Sequence, residues 1–141
     1  MTFLIISHVV HKQAQGHFYA YGPYVREMNL WIKSFDKVLI VAPLNNNIEP
    51  SMIDSEYKHS KIAVLRLPEF DILSIRSFLR TIVLMPMIFT QVVRGIILAD
   101  HIHIRCPGNA GLIGCLVQLF FPVKPKTVKY ASNWDWNSRQ P

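Results

Sequence analysis

Three histidines, His8, His11 and His17, crowd the stretch that follows the apolar run Phe3-Leu4-Ile5-Ile6. They lack the helical HExxH context and any carboxylate close by in sequence, so local hydrogen bonds or contact with a polar substrate are expected and no metal is. His101 and His103 alternate with Ile102 and Ile104, a pattern that puts the histidines on one face of a strand, where backbone groups should satisfy them. Arg105 comes next, and an arginine at a strand end can clamp a phosphate or carboxylate. Asn109 then stands where a helix should begin, suited to capping it or to binding a hydroxyl. Gly22 precedes Pro23 at another helix start, where free amides could receive a phosphate or a hydroxyl. Near the end, Asn133-Trp134-Asp135-Trp136 sets aromatic rings beside an acceptor and an amide, a combination that suits sugar rings and equally suits packing of Trp134 and Trp136 against further chain, the better reading for Trp136. The dinucleotide fingerprint is missing: Gly16 and Gly22 are separated by aromatics and no GxGxxG or phosphate loop follows the first apolar run.

Alternating strands and helices must position these residues. Phe3-Leu4-Ile5-Ile6 reads as a buried strand, His8 to Gly22 as a long loop, and Pro23 to Ile32 as a helix whose buried side is Val25, Met28, Leu30, Trp31 and Ile32. A second strand, Lys37 to Ala42, should stop at Pro43. The polar segment 51–57 reads as a surface excursion and Lys61 to Leu67 as a third strand, nearer the sheet edge and stopped by Pro68. Ser74 is the expected cap of a long apolar helix in which Pro86 should cause a kink or a division. Strands at His101–Ile104 and Lys126–Tyr130 flank a helix from Ala110 to Phe121. The fold class is therefore α/β, a Rossmann-like parallel sheet of about five strands with helices on both faces. The expected strand order is 3-2-1-4-5, with the first strand central. Its working edge is the carboxyl ends of the strands.

The chain has 141 residues, enough for one domain spanning all of them, and half of them are apolar, which excludes a disordered chain and favours a compact, largely buried sheet. The net charge of +6 allows an anionic partner without choosing one. Cys106 and Cys115 are in neither CxxC nor disulfide-dense spacing and are expected to be reduced, in a cytoplasmic protein. The apolar stretch Ile82 to Ala99 contains Pro86, Gln91 and Arg94 and is expected to pack on the sheet rather than cross a bilayer. With Arg76, Arg80 and Arg94 around it, it also suggests peripheral contact with the inner face of a membrane.

Taken in order, Phe-Leu-Ile-Ile-Ser-His at the first strand, Gly-Pro-Tyr-Val-Arg-Glu-Met entering the first helix, Val-Leu-Ile-Val-Ala-Pro, Ile-His-Ile-Arg-Cys-Pro-Gly-Asn and Lys-Tyr-Ala-Ser-Asn-Trp-Asp-Trp carry a likeness over essentially the whole chain. Together they resemble the N-terminal, acceptor-binding domain of nucleotide-sugar-dependent glycosyltransferases of the GT-B fold, in particular the retaining class numbered family four. The resemblance implies half of a GT-B fold and hexosyl transfer in the whole enzyme, with no cofactor beyond the nucleotide-sugar donor as co-substrate. It further implies a sugar or lipid-linked glycan acceptor in cell-surface polysaccharide synthesis, and no nucleic acid. The donor domain and its paired glutamates, E-x7-E, are not found in these residues, so this half alone is expected to be inactive. Acceptor or donor-phosphate contacts are expected at Gly16, His17, Gly22, Tyr24, Arg105, Asn109, Asn133 and Asp135. Tyr24 stands where family members carry a histidine, and no catalytic residue is assigned. The competing reading is a stand-alone flavodoxin-like module for an anionic ligand.

Overall fold

The computed structural model describes residues 1–68 and 75–131, with the side chains of 75–78 left out. Ser74, Asn133, Trp134, Asp135 and Trp136, named above, and the Arg76 side chain lie outside the described residues.

Eight strands and three helices follow one another: β1 (Thr2–Ile6), β2 (His11–Ala14), β3 (His17–Tyr21), α1 (Gly22–Trp31), β4 (Lys37–Asn45), β5 (Asp54–Glu56), β6 (Ile62–Leu67), α2 (Ile75–Leu98), β7 (His101–Cys106), α3 (Asn109–Val117) and β8 (Lys126–Tyr130). The β-branched apolar runs form the parallel core in the order β6-β4-β1-β7-β8. This is the expected order of the five strands, with β1 at the centre. Alternate side chains of β1 then serve opposite faces. Phe3 and Ile5 pack with Tyr24, Val25 and Met28 of α1, while Leu4 and Ile6 pack with Ile88, Val92 and Ile96 of α2 and Ala110 of α3. Helices therefore cover both faces, as an α/β sheet requires.

The sheet is mixed rather than purely parallel, because two segments expected to be irregular are strands. His8 to Gly22 is no loop: β2 and β3 form an antiparallel hairpin joined at Gln15 and Gly16, both with positive φ (51° and 82°). That is the two-residue turn whose twist matches a hairpin. The polar segment at 51–57 contains β5, which pairs antiparallel with β3. The second parallel strand runs through Pro43 to Asn45, because Leu44 and Asn45 are held by pairing with β2. On α1, Leu30 turns outward, 68% exposed, so its expected burial fails.

Helix α2 is undivided at Pro86, and the Thr90 hydroxyl donates to the Pro86 carbonyl at 2.6 Å. One side of α2 packs on the sheet, yet only 28% of its most apolar stretch, Leu79–Leu98, is buried, and by length and composition that stretch could cross a membrane. Leu79, Ile82, Val83, Phe89, Ile97 and Leu98 are all exposed. Its carboxyl end is closed by Lys124, whose ammonium donates to the carbonyls of Ile96, Ile97 and Ala99 at 2.8, 2.9 and 2.6 Å. Those carbonyls lie in the last turn, where only that of Ile96 receives a backbone amide, from Ala99 at 3.4 Å, and they carry the negative end of the helix dipole. Replacing Lys124 with Met keeps the stem and removes the cation, so K124M is expected to cost about 1–3 kcal/mol in urea unfolding. An unchanged midpoint would show that water caps this end equally well.

Candidate functional site

The carboxyl ends of β1 and β7 lie side by side, with Ile6 opposite Ile104. Beyond β1 come Ser7, fully buried, and His8, exposed. Beyond β7 comes Gly108, at φ 148° and ψ 153°, a conformation only glycine holds without strain. A side chain there would run into His8, whose Nδ1 lies 2.4 Å from where a Cβ would sit. The two chain segments thus touch at the sheet edge.

Arg105 projects onto the α1 face of this edge. Its guanidinium lies 4.8 Å from the centre of the Tyr24 ring and donates to Glu27 at 3.3 Å. Glu27 also pairs with Lys129 of β8. Partial burial opposes ionisation of Glu27, but the bonds from Lys129 and Arg105 outweigh it and hold its carboxyl below the usual range. Two cations share one carboxylate, which leaves a net positive charge. Arg105 carries five N–H donors in a planar fork, so it can still donate to a ligand oxygen.

Behind this group lies a dry polar cluster. His11 is fully buried; its Nδ1 donates to the Val9 carbonyl at 2.8 Å, and its Nε2 accepts from the Tyr57 hydroxyl at 2.8 Å. This tautomer follows from the bonds, since a carbonyl can only accept. Burial pushes the His11 pKa down to about 4 and that of Tyr57 well above its ordinary value. The buried Tyr24 hydroxyl lies near those of Ser7 and Tyr57 but makes no bond of standard geometry. His103 is buried between Phe3 and Trp31, with ring centres 5.8 and 5.3 Å away, and burial lowers its pKa to about 4.

The expected site residues divide into two groups. Tyr24 and Arg105 are brought together. Asn109 follows Arg105 by four positions, as the first residue of α3, but Gly108 caps that helix and Asn109 does not. Glycine takes the cap because only it fits both the backbone angles and the approach of His8. Gly16 and His17 sit on the hairpin, separated from β7 in the sheet by β2, β4 and β1. His17 pairs there with Glu56 at 2.6 Å. Gly22 begins α1, but its amide is not free: it donates to the Ile53 carbonyl at 2.8 Å. Backbone satisfaction of the β7 histidines also fails. His101 bonds the Thr127 hydroxyl at 3.0 Å, and His103 has no partner among the described residues.

Glu27, Lys129, Ser7 and Tyr57 are the site members that sequence reasoning missed. The one signal was on α1, where Tyr24, Glu27 and Trp31 recur at helical spacing and so share a face. No cluster of metal-ligating side chains occurs among the described residues. Cys106 and Cys115 are both free thiols, with sulfurs 3.9 Å apart. Comparison with known proteins found no family model, curated protein or solved structure that matches this chain.

Proposed function

We propose that this chain is the acceptor-binding half of a nucleotide-sugar-dependent glycosyltransferase of cell-surface or lipid-linked glycan synthesis, inactive on its own. The observation that carries the proposal is the cationic Tyr24–Glu27–Arg105–Lys129 group at the adjoining carboxyl ends of β1 and β7. Two of the motifs behind the family resemblance, Gly-Pro-Tyr-Val-Arg-Glu-Met and Ile-His-Ile-Arg-Cys-Pro-Gly-Asn, supply Tyr24, Glu27 and Arg105 to it. A tyrosine ring beside fixed cationic donors suits a polyhydroxylated or anionic acceptor. Arg105 would hold an acceptor oxygen while its charge favours the leaving diphosphate of a donor bound elsewhere.

The protein works in the cytoplasm, against the inner face of a membrane. The exposed apolar side of α2, with Arg80 and Arg94 along it, supports this placement. Each such cation adds about 1 kcal/mol on an anionic surface.

Titration of the chain with oligosaccharides and with UDP- and GDP-sugars, followed by amide NMR, tests the reading. Saccharides are expected to shift Ser7, His8 and Gly108, and nucleotide sugars to bind no tighter than millimolar. Micromolar donor binding, or no saccharide response at this edge, would overturn it. Vesicle flotation that needs anionic lipid and weakens with salt is expected too, and no flotation at low salt would remove the membrane placement.

A further inference from the structure

A second cleft opens at the same edge of the sheet, two strands away from Arg105, and the glycan reading does not use it. It lies where β4 and β6 end against α2, with a volume of about 610 Å³, lined by Asn45 and Asn47 after the core of β4, Arg66 and Pro68 at β6, and Arg80 and Met87 of α2. Among the described residues no carboxylate lines it. Four of the five ion pairs among the described residues use Glu27, Asp54 and Glu56, and the fifth joins the N-terminus to Asp36; neither Arg66 nor Arg80 takes part in any. The amide of Asn47 donates to the Asn45 side-chain oxygen at 3.0 Å, which fixes that side chain and leaves its NH₂ group to donate elsewhere.

Two guanidiniums without an ion pair and an oriented amide at the carboxyl ends of parallel strands make an arrangement of donors with no anionic partner among the described residues. Such groups suit a compact, multiply charged oxyanion, because a guanidinium fork matches two oxygens at once and each charge-assisted bond is about twice as strong as a neutral one. The position agrees with the rule that open α/β sheets bind ligands outside their strand carboxyl ends. We propose that this cleft is a phosphate-binding site, for the phosphate of a soluble ester or of a lipid headgroup, with Arg66 and Arg80 as its clamps and Asn45 as a hydroxyl- or oxygen-orienting donor. The proposal does not rest on the glycosyltransferase reading.

Titration with inorganic phosphate at constant ionic strength, with chloride as the exchanged anion, tests it through the Arg Nε–H resonances. Saturable shifts at Arg66 and Arg80 are expected, and R66Q and R80Q should each weaken binding by about tenfold. R94Q, on the same helix but outside the cleft, should leave binding unchanged. A response linear in phosphate, one equal for chloride, or one moved as much by R94Q as by R66Q would overturn the proposal. Vesicles of phosphatidylcholine with and without phosphatidic acid separate the sources. Loss of flotation in R66Q and R80Q assigns the site to a headgroup, and phosphate binding with unaltered flotation assigns it to a soluble ester. Loss of the Arg105 site's saccharide response alone would leave this result standing.

Discussion

Acidification from pH 7 toward pH 4 is expected to strip several kcal/mol from the stability of this fold. His11 has an ordinary pKa of 6.5 when unfolded and about 4 when folded. Between those values the unfolded chain binds the proton and the folded one does not, so the stability is complete above about pH 7 and is lost as the pH falls through the folded value. At 1.36 kcal/mol per pH unit, His11 alone accounts for roughly 3 kcal/mol. His103, lowered to about 4 by burial as well, adds to this in the same pH window. Glu27 and Asp54 are held below the ordinary carboxylate range and contribute only at the low end of the window. Urea unfolding at intervals from pH 7.5 to 4.5 reads the slope. Replacing His103 with Phe puts a ring of similar shape between Phe3 and Trp31 without stranded nitrogens, so H103F should flatten the slope and hold or raise stability at neutral pH. A wild-type midpoint that does not move across this range would refute the buried neutral histidines.

The second large effect is expected at Gly111. A Cβ on this helical glycine would sit 2.4 Å from the Arg105 carbonyl oxygen and 3.1 Å from the Cys106 sulfur. The carbonyl belongs to β7, where Arg105 is paired with Lys129 of β8, and backbone gives way less readily than a side chain, so α3 must lift from the sheet. Gly to Ala in an ordinary helix gains up to about 1 kcal/mol, but overpacking against backbone costs more. Net destabilisation by G111A of roughly 2–3 kcal/mol is expected, with displacement of the Arg105–Gly108 turn. Gly114, one turn further on, is the control. Its Cβ would meet side chains alone, Ile6 at 3.1 and 3.2 Å and Ile104 at 3.5 Å, which can give more readily than backbone, so G114A should cost much less. Equal midpoints for the two variants would show that α3 is not held by this contact.

These two effects differ in how far the sequence announces them. The five parallel strands were legible because each is a β-branched run bounded by Pro, Asn or a helix start, and crossover handedness leaves few orders open. The hairpin was not: Gln15-Gly16 is not one of the dipeptides that signal a two-residue turn, and Lys12, Gln13 and His17 look like loop residues until β2 and β3 pair with each other and are flanked by β4 and β5. Arg105 could be placed at the edge from its position alone. Its neighbours could not, since Glu27 is 78 positions from Arg105 and 102 from Lys129, distances over which composition carries no information. The buried histidine cluster was hidden in the same way, because His11 meets Tyr57 only once the hairpin has folded.

The central place of β1 also fixes when the molecule can close during synthesis. Phe3 leaves the ribosome early, yet one of its two neighbours is His101. At about 5–20 residues per second, roughly 5–20 s separate the two. Throughout that interval the most apolar strand of the protein has a bare edge, able to pair with another nascent chain. Strand β1 is thus made about a hundred residues before it is secured on this side, and the growing chain should depend on chaperones until β7 emerges.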